Sequence, residues 1–279
     1  IGLWFPKNRG KILGIAAMGN NFGGIAVQPA IALIISAYSW QMGYAAIGIF
    51  AILVSIYSFL MVRDPIASLA ECGVTQELEV VGSTLSQAFR MRKFYVIIVA
   101  FMCGTFTYSA LLPQVSSHLI DNGIDESTTA LAVSLFAACG MLGKFIFGMM
   151  SDKFGPRPAM IFDLYGQSVF ACLLVFAGTS VPLWLVVPFM GFFLGAFGAL
   201  TQLLVIETFG VKHFGAIMGV ISIGTAISLF SGPIIAGLSY DLSESYGPVF
   251  FITSAIFAIG ASSLFLAGKS NSTELSTAK

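Results

Sequence analysis

Charge is what this sequence has least of. Only 9% of its 279 residues are Asp, Glu, Lys or Arg, against about 25% in soluble domains. Hydrophobic residues make up 57%, so too few polar side chains exist to cover a soluble core. The 13 basic and 13 acidic residues cancel, which removes the electrostatic case for nucleic acid. Histidine occurs twice, at His118 and His213, in separate connectors. There is no H-E-x-x-H, no P-loop and no G-x-S-x-G, and no nucleophile stands near a base. An enzyme cannot be assembled from these parts, nor a metal centre or a cofactor site. Cys72, Cys103, Cys139 and Cys172 lack metal or redox spacing and read as small packing residues. No signal peptide is visible. The chain opens on Ile1 within a basic stretch, which reads as a start inside a longer protein.

What is abundant is long apolar runs. Eight have the length of a spanning helix: about 12–37, 43–62, 94–120, 128–150, 159–178, 183–206, 214–239 and 248–268. The fold class that follows is an all-α polytopic membrane protein. One long polar connector, Arg63–Lys93, separates the first two spans from the other six. Its end, Thr84–Lys93, has the pattern of a short interfacial helix with Leu85, Ala88 and Phe89 towards lipid.

Basic residues alternate from connector to connector. Twelve of the 13 lie at Lys7, Arg9, Lys11, Arg63, Arg90, Arg92, Lys93, Lys153, Arg157, Lys212, Lys269 and Lys279. The opposite connectors hold only acids: Asp121, Asp125, Glu126, Asp241 and Glu244. The positive-inside rule makes the first set cytoplasmic, together with both ends of the chain. The membrane is then the plasma membrane or a bacterial inner membrane.

The thirteenth cation, Lys144, lies inside a span. Lysine at the bilayer centre costs about 2.5–3.5 kcal/mol on insertion scales, so it ordinarily has a partner or a task. Snorkelling to the cytoplasmic face and a bracing ion pair are the structural alternatives. About 12 Å further along the helix, at 1.5 Å per residue, the chain leaves the membrane through Gly148-Met-Met-Ser-Asp152-Lys153-Phe-Gly155-Pro156-Arg157. Small residues, an acid and bases in ten positions suit a tight, charge-locked link between two helices.

A repeat is also present. Gly10, Gly14 and Gly19 recur as Gly215, Gly219 and Gly224 at one offset of 205 residues. Both copies enter a helix from a basic loop through G-x-x-x-G, and in the same direction, which is a parallel repeat. Between the polar connector and the later copy stand four helices (94–206), whereas the early copy follows none, so four more are expected upstream.

These residues resemble the major facilitator superfamily. Its cytoplasmic signature, G-x-x-x-D-[RK]-x-G-[RK]-[RK], is matched by Gly148, Asp152, Lys153, Gly155 and Arg157, with Pro156 in place of one base. Three stretches are similar to the monocarboxylate-transporter-like and oxalate/formate-antiporter-like branch: WFPKNRGKILGIAAMG, AFRMRKFYVIIVAFMCGTFTYSALLPQVSSHLIDNGI and ETFGVKHFGAIMG. The resemblance implies a major facilitator fold with eight of twelve transmembrane helices present. Residues 1–62 are then the last two helices of an N-terminal six-helix bundle, and 63–93 a cytoplasmic linker. Residues 94–268 make the C-terminal six-helix bundle, with a tail at 269–279. In that branch a cation, usually arginine, sits four residues before the motif glycine and is implicated in binding substrate carboxylate. Lys144 holds that position, with the charge but without the bidentate fork.

Further polar residues lie within spans. Asn21 and Gln28 share a helix face, Tyr108 and Gln114 flank Pro113, and Gln202 sits in the sixth span. Each is a candidate for substrate binding or for interhelical packing. Asp163 and Glu207 are candidates for ion coupling or for ion pairs, Asp163 with Lys144 or a loop base. His118, beside Asp121, reads as a surface histidine. The expected function is secondary transport of a small organic anion, a mono- or dicarboxylate, by alternating access, with a proton or counter-anion as co-partner. The alternatives are a facilitator or exporter of neutral or cationic metabolites or drugs, and a non-transporting sensor or scaffold of the same fold.

Overall fold

The computed structural model describes residues 8–61, 82–177 and 180–266. The apolar runs become helices because backbone polar groups in hydrocarbon must pair within their own segment. Among the described residues there are nine: α1 (Arg9–Ala37), α2 (Trp40–Met61), α3 (Leu85–Arg90), α4 (Arg92–Asp121), α5 (Glu126–Phe154), α6 (Pro156–Leu174), α7 (Ser180–Phe209), α8 (Phe214–Ser243) and α9 (Gly247–Leu266). The eight long ones coincide with the eight expected spans to within a few residues at each end. Six of them, α2, α4, α5, α7, α8 and α9, are long and apolar enough to cross a membrane.

The chain divides into two compact units, Met18–Glu79 and, together, Ile1–Ala17 with Val80–Lys279. The smaller holds most of α1 and all of α2, which meet where Gly43 lies against Ile35 and Ile31. In the larger, α5 packs along α7, α4 packs on α8 and α9, and α6 packs on α7 and α9. Phe94, Phe101, Phe147, Phe209, Phe250 and Phe257 are its largest fully buried rings.

The α5–α7 seam is built from glycine. A methyl on Gly143 would collide with the Phe192 carbonyl, one on Gly191 with the Phe136 carbonyl, and one on Gly195 with Gly140. The two backbones therefore touch directly, as small residues permit between helices in lipid.

The short helix α3 differs from its expected interfacial setting. Ser83 N–H donates to the Phe209 carbonyl at 2.8 Å, and Gly82 bridges Gly210 in antiparallel fashion. Those bonds draw α3 onto the protein, so Ala88 is fully buried and Leu85 packs on the core, while Phe89 stays exposed. A reciprocal cap starts the helix: Thr84 N–H donates to Gln87 Oε1 at 2.8 Å, and Gln87 N–H to Thr84 Oγ1 at 3.3 Å.

Candidate functional site

The turn between α5 and α6 gathers most of the charged residues singled out in the sequence. It is tight because Gly155 takes φ +91°, a conformation that suits glycine. Pro156 then begins α6, where its missing N–H costs nothing. The base that the pattern has at this position is thus exchanged for a helix starter.

Each charge of the turn has its own helix end. The Asp152 carboxylate accepts from Gly10 N–H at 2.6 Å and from Lys11 N–H at 2.8 Å, two first-turn donors of α1 that no helical carbonyl can reach. The Arg157 guanidinium donates to the Leu264 carbonyl through Nε (3.1 Å) and NH2 (2.7 Å), and to Phe265 O at 3.0 Å. An anion thus sits at a helix N-terminus and a cation at a helix C-terminus, each matched to the local dipole. Lys153 lies over the Phe154 ring, 5.2 Å from its centroid. Glu207, exposed at the end of α7, stands beside Gly155 and close enough to Arg157 for the two charges to interact.

Lys144 lies two turns deeper on α5 and is 7% exposed. Its Nζ donates to the Ala17 carbonyl at 3.1 Å. This reach is short because α1 runs close to α5: a methyl on Gly10 would collide with the Gly148 carbonyl, and one on Gly14 would stand 2.5 Å from Lys144 O. The ammonium is therefore held in the seam between two helices rather than turned out to lipid.

The remaining candidates are dispersed. Tyr108 and Gln114 lie on α4, the first exposed and the second half-buried, and Gln202 is exposed on α7. Asn21 is half-buried in the smaller unit. The side chain of Gln28 falls outside the described residues, as does Cys72. Asp163 is completely buried on α6, and its bonded partner is Gln167, not Lys144 or a loop base.

His118 corrects the sequence reading, since it is 4% exposed rather than a surface residue. Its Nε2 meets the Leu174 carbonyl at 3.1 Å and its Nδ1 meets the Asn122 amide nitrogen at 3.3 Å. The Leu174 carbonyl can only accept, so the ring places its hydrogen on Nε2 in that bond. The ring also packs edge-on against Phe250, joining the ends of α4, α6 and α9. Its i+4 partner, Asn122, was the only sequence signal.

The family model of the Major Facilitator Superfamily matches residues 1–120 and 94–278. The chain belongs to the major facilitator superfamily. Similar members include Monocarboxylate transporter 12-B of Danio rerio, 24% identical over 95% of this chain and 62% of that one. The probable sulfoacetate transporter SauU of Cupriavidus necator is 23% identical over 94% and 66%. The hexuronate transporter of Bacillus subtilis is 23% identical over 91% and 65%. The chain thus spans roughly three fifths to two thirds of the length of these relatives. Among solved structures, the superfamily transporter FucP in its outward conformation matches with a TM-score of 0.66 and 16% identity, over 92% of this chain and 68% of that one. That likeness shares the superfamily fold.

Proposed function

We propose that the protein containing this chain is a secondary transporter of a small organic anion, working by alternating access. The observation that carries the reading is a buried ammonium, Lys144, on an apolar helix at the seam with α1. Three similar proteins are named for monocarboxylate, sulfoacetate and hexuronate, and all three substrates carry a carboxylate. In a water-poor interior a single cation attracts such a group far more strongly than it would in water. Lys144 is the substrate cation in this reading, and Tyr108, Gln114 and Gln202 are the polar residues of the same unit available to complete the site. The α5–α6 turn acts as the gate. With Asp152 seated on α1, the cytoplasmic side is closed, and release of that contact lets the bundles rock about the site. The basic connectors face the cytoplasm. A proton or a counter-anion is the coupling partner, with Asp163 and Glu207 as its candidate carriers.

The test is uptake of labelled lactate, glucuronate and sulfoacetate into vesicles holding the intact protein. Lys144→Ala should abolish uptake of the anion that is carried, and Lys144→Arg should keep part of it. Unchanged uptake in Lys144→Ala, or transport of neutral or cationic compounds alone, would assign Lys144 to bracing and refute the anion reading.

A further inference from the structure

The interior of the larger unit holds a carboxyl group without enough donors. Asp163 and Gln167 stand one turn apart on α6, each 0% exposed. Gln167 Nε2 donates to Asp163 Oδ2 at 2.6 Å. Asp163 Oδ1 and Gln167 Oε1 are then both buried without a partner. An ionised carboxylate only accepts, and so does the amide oxygen. What the pair lacks is one hydrogen.

Among the described residues no neighbouring charge makes up for it. From Gly247 to Phe265, α9 has no titratable side chain. On α7 there is only Glu207, which faces Gly155 and Arg157. On α5, Lys144 donates to Ala17 O and Asp152 accepts from Gly10 and Lys11. Lys153 lies over Phe154, Glu126 opens the far end of α5, and the Cys139 thiol is half-buried. On α6 itself, Arg157 is engaged by Leu264 and Phe265, the Tyr165 hydroxyl pairs with Ser262 Oγ at 3.0 Å, and Cys172 is a half-buried thiol. A metal ion fares no better: among the described residues no three His, Cys, Asp or Glu side chains gather, whereas hard cations take about six oxygens or more. A carboxylate so enclosed is neutralised rather than left charged.

We propose that Asp163 and Gln167 form a proton-binding site, in which Asp163 is a neutral acid whose O–H on Oδ1 serves Gln167 Oε1. A hydronium ion of the solvent gives the proton: one of its O–H bonds breaks, one O–H bond forms on Oδ1, a water molecule is left, and no oxidation state changes. That single hydrogen supplies both orphaned oxygens. Within the transport reading, on which this part rests, the same site is the coupling site. Asp163 is protonated while α6 is packed on α7 and α9, and ionised when rocking admits water between them.

Infrared difference spectroscopy of the intact protein in lipid vesicles at pH 7 reads this proton without requiring transport. A protonated-carboxyl band is expected that shifts in D2O, disappears in Asp163→Asn and changes frequency in Gln167→Leu. Absence of such a band, or its survival in Asp163→Asn, would overturn the site. Should Asp163→Asn fail to fold, 13C-aspartate labelling of the parent protein assigns the band instead, and a band that does not shift on labelling overturns the site equally. The coupling role is tested separately, with lactate, glucuronate and sulfoacetate as probes. Asp163→Asn should lose substrate-driven proton uptake, and full proton uptake in that variant would refute coupling while the band of the parent protein still decides the site. If none of the probes moves in the parent protein, the transport reading fails and the band alone decides the site.

Discussion

Asp152 should act as a cap on a helix to which it is not joined in sequence. It replaces the missing partners of two first-turn amides of α1, Gly10 at 2.6 Å and Lys11 at 2.8 Å. Removing a side-chain cap costs about 0.5–2 kcal/mol. The upper end applies to Asp152→Ala, because Gly10 is buried and its N–H cannot turn to water. We therefore expect about 2 kcal/mol for alanine. Asn can still accept one of the two bonds but without charge, so Asp152→Asn should cost about 1 kcal/mol. With tenfold per 1.4 kcal/mol, amide exchange at Gly10 and Lys11 should accelerate about 30-fold in the alanine variant and about 5-fold in the asparagine one. Hydrogen–deuterium exchange of the intact protein in lipid measures this. Lys153→Ala is the control, since Lys153 lies over Phe154, and it should leave those amides unchanged. If Lys153→Ala accelerates exchange as much as Asp152→Ala, or if neither does, the capping argument is wrong.

Gly143→Ala should destabilise the α5–α7 pair by about 1–3 kcal/mol through overpacking against the Phe192 carbonyl. Gly219→Ala, with nothing within 4 Å, should be neutral or slightly stabilising in the same thermal unfolding series. His118→Ala should cost about 1–2 kcal/mol through loss of the Leu174 hydrogen bond and the Phe250 contact, with part recovered by His118→Gln in the same assay. Asp125, just outside the membrane-spanning part of α5, is held at about 2 by the Ser127 hydroxyl and the Thr128 amide, against an ordinary 3.8. A depressed carboxyl stabilises fully above its unfolded value and loses that contribution as pH falls through the folded one. The protection factor of the Thr128 amide, taken against the intrinsic exchange rate at each pH, should accordingly fall on acidification from 3.8 towards 2, and Asp125→Asn should abolish that fall.

The helices were legible because their signal is summed over some twenty positions each, and the alternation of basic connectors guarded the count. Gly148, Asp152, Gly155 and Arg157 were legible as one turn, since ten consecutive residues carry it. Their partners were not. Asp152 binds backbone amides of α1 and Arg157 binds backbone carbonyls of α9, and a backbone group has no letter in a sequence. The same holds for Lys144 and the Ala17 carbonyl. Asp163 is visible as an acid in a span, and an acid there points to a basic partner, whereas its bonded partner is Gln167, four residues on and one helical turn away. Leu85 and Ala88 read as lipid-facing in the sequence because both lipid and protein interior select apolar residues. Only the pairing of Ser83 with Phe209 decides between them.

The seam where Gly143, Gly191 and Gly195 bring two backbones together has a mechanical consequence. At those three contacts no side chain stands between the backbones to re-rotamer, so neither α5 nor α7 can turn there without steric overlap. They form a stiff plank. Lys144 is the next residue after Gly143, so its Cα travels with that plank. Displacement of that Cα relative to Ala17 therefore comes from the plank moving as a whole rather than from α5 spinning in place, and the ammonium adds only the swing of its own side chain.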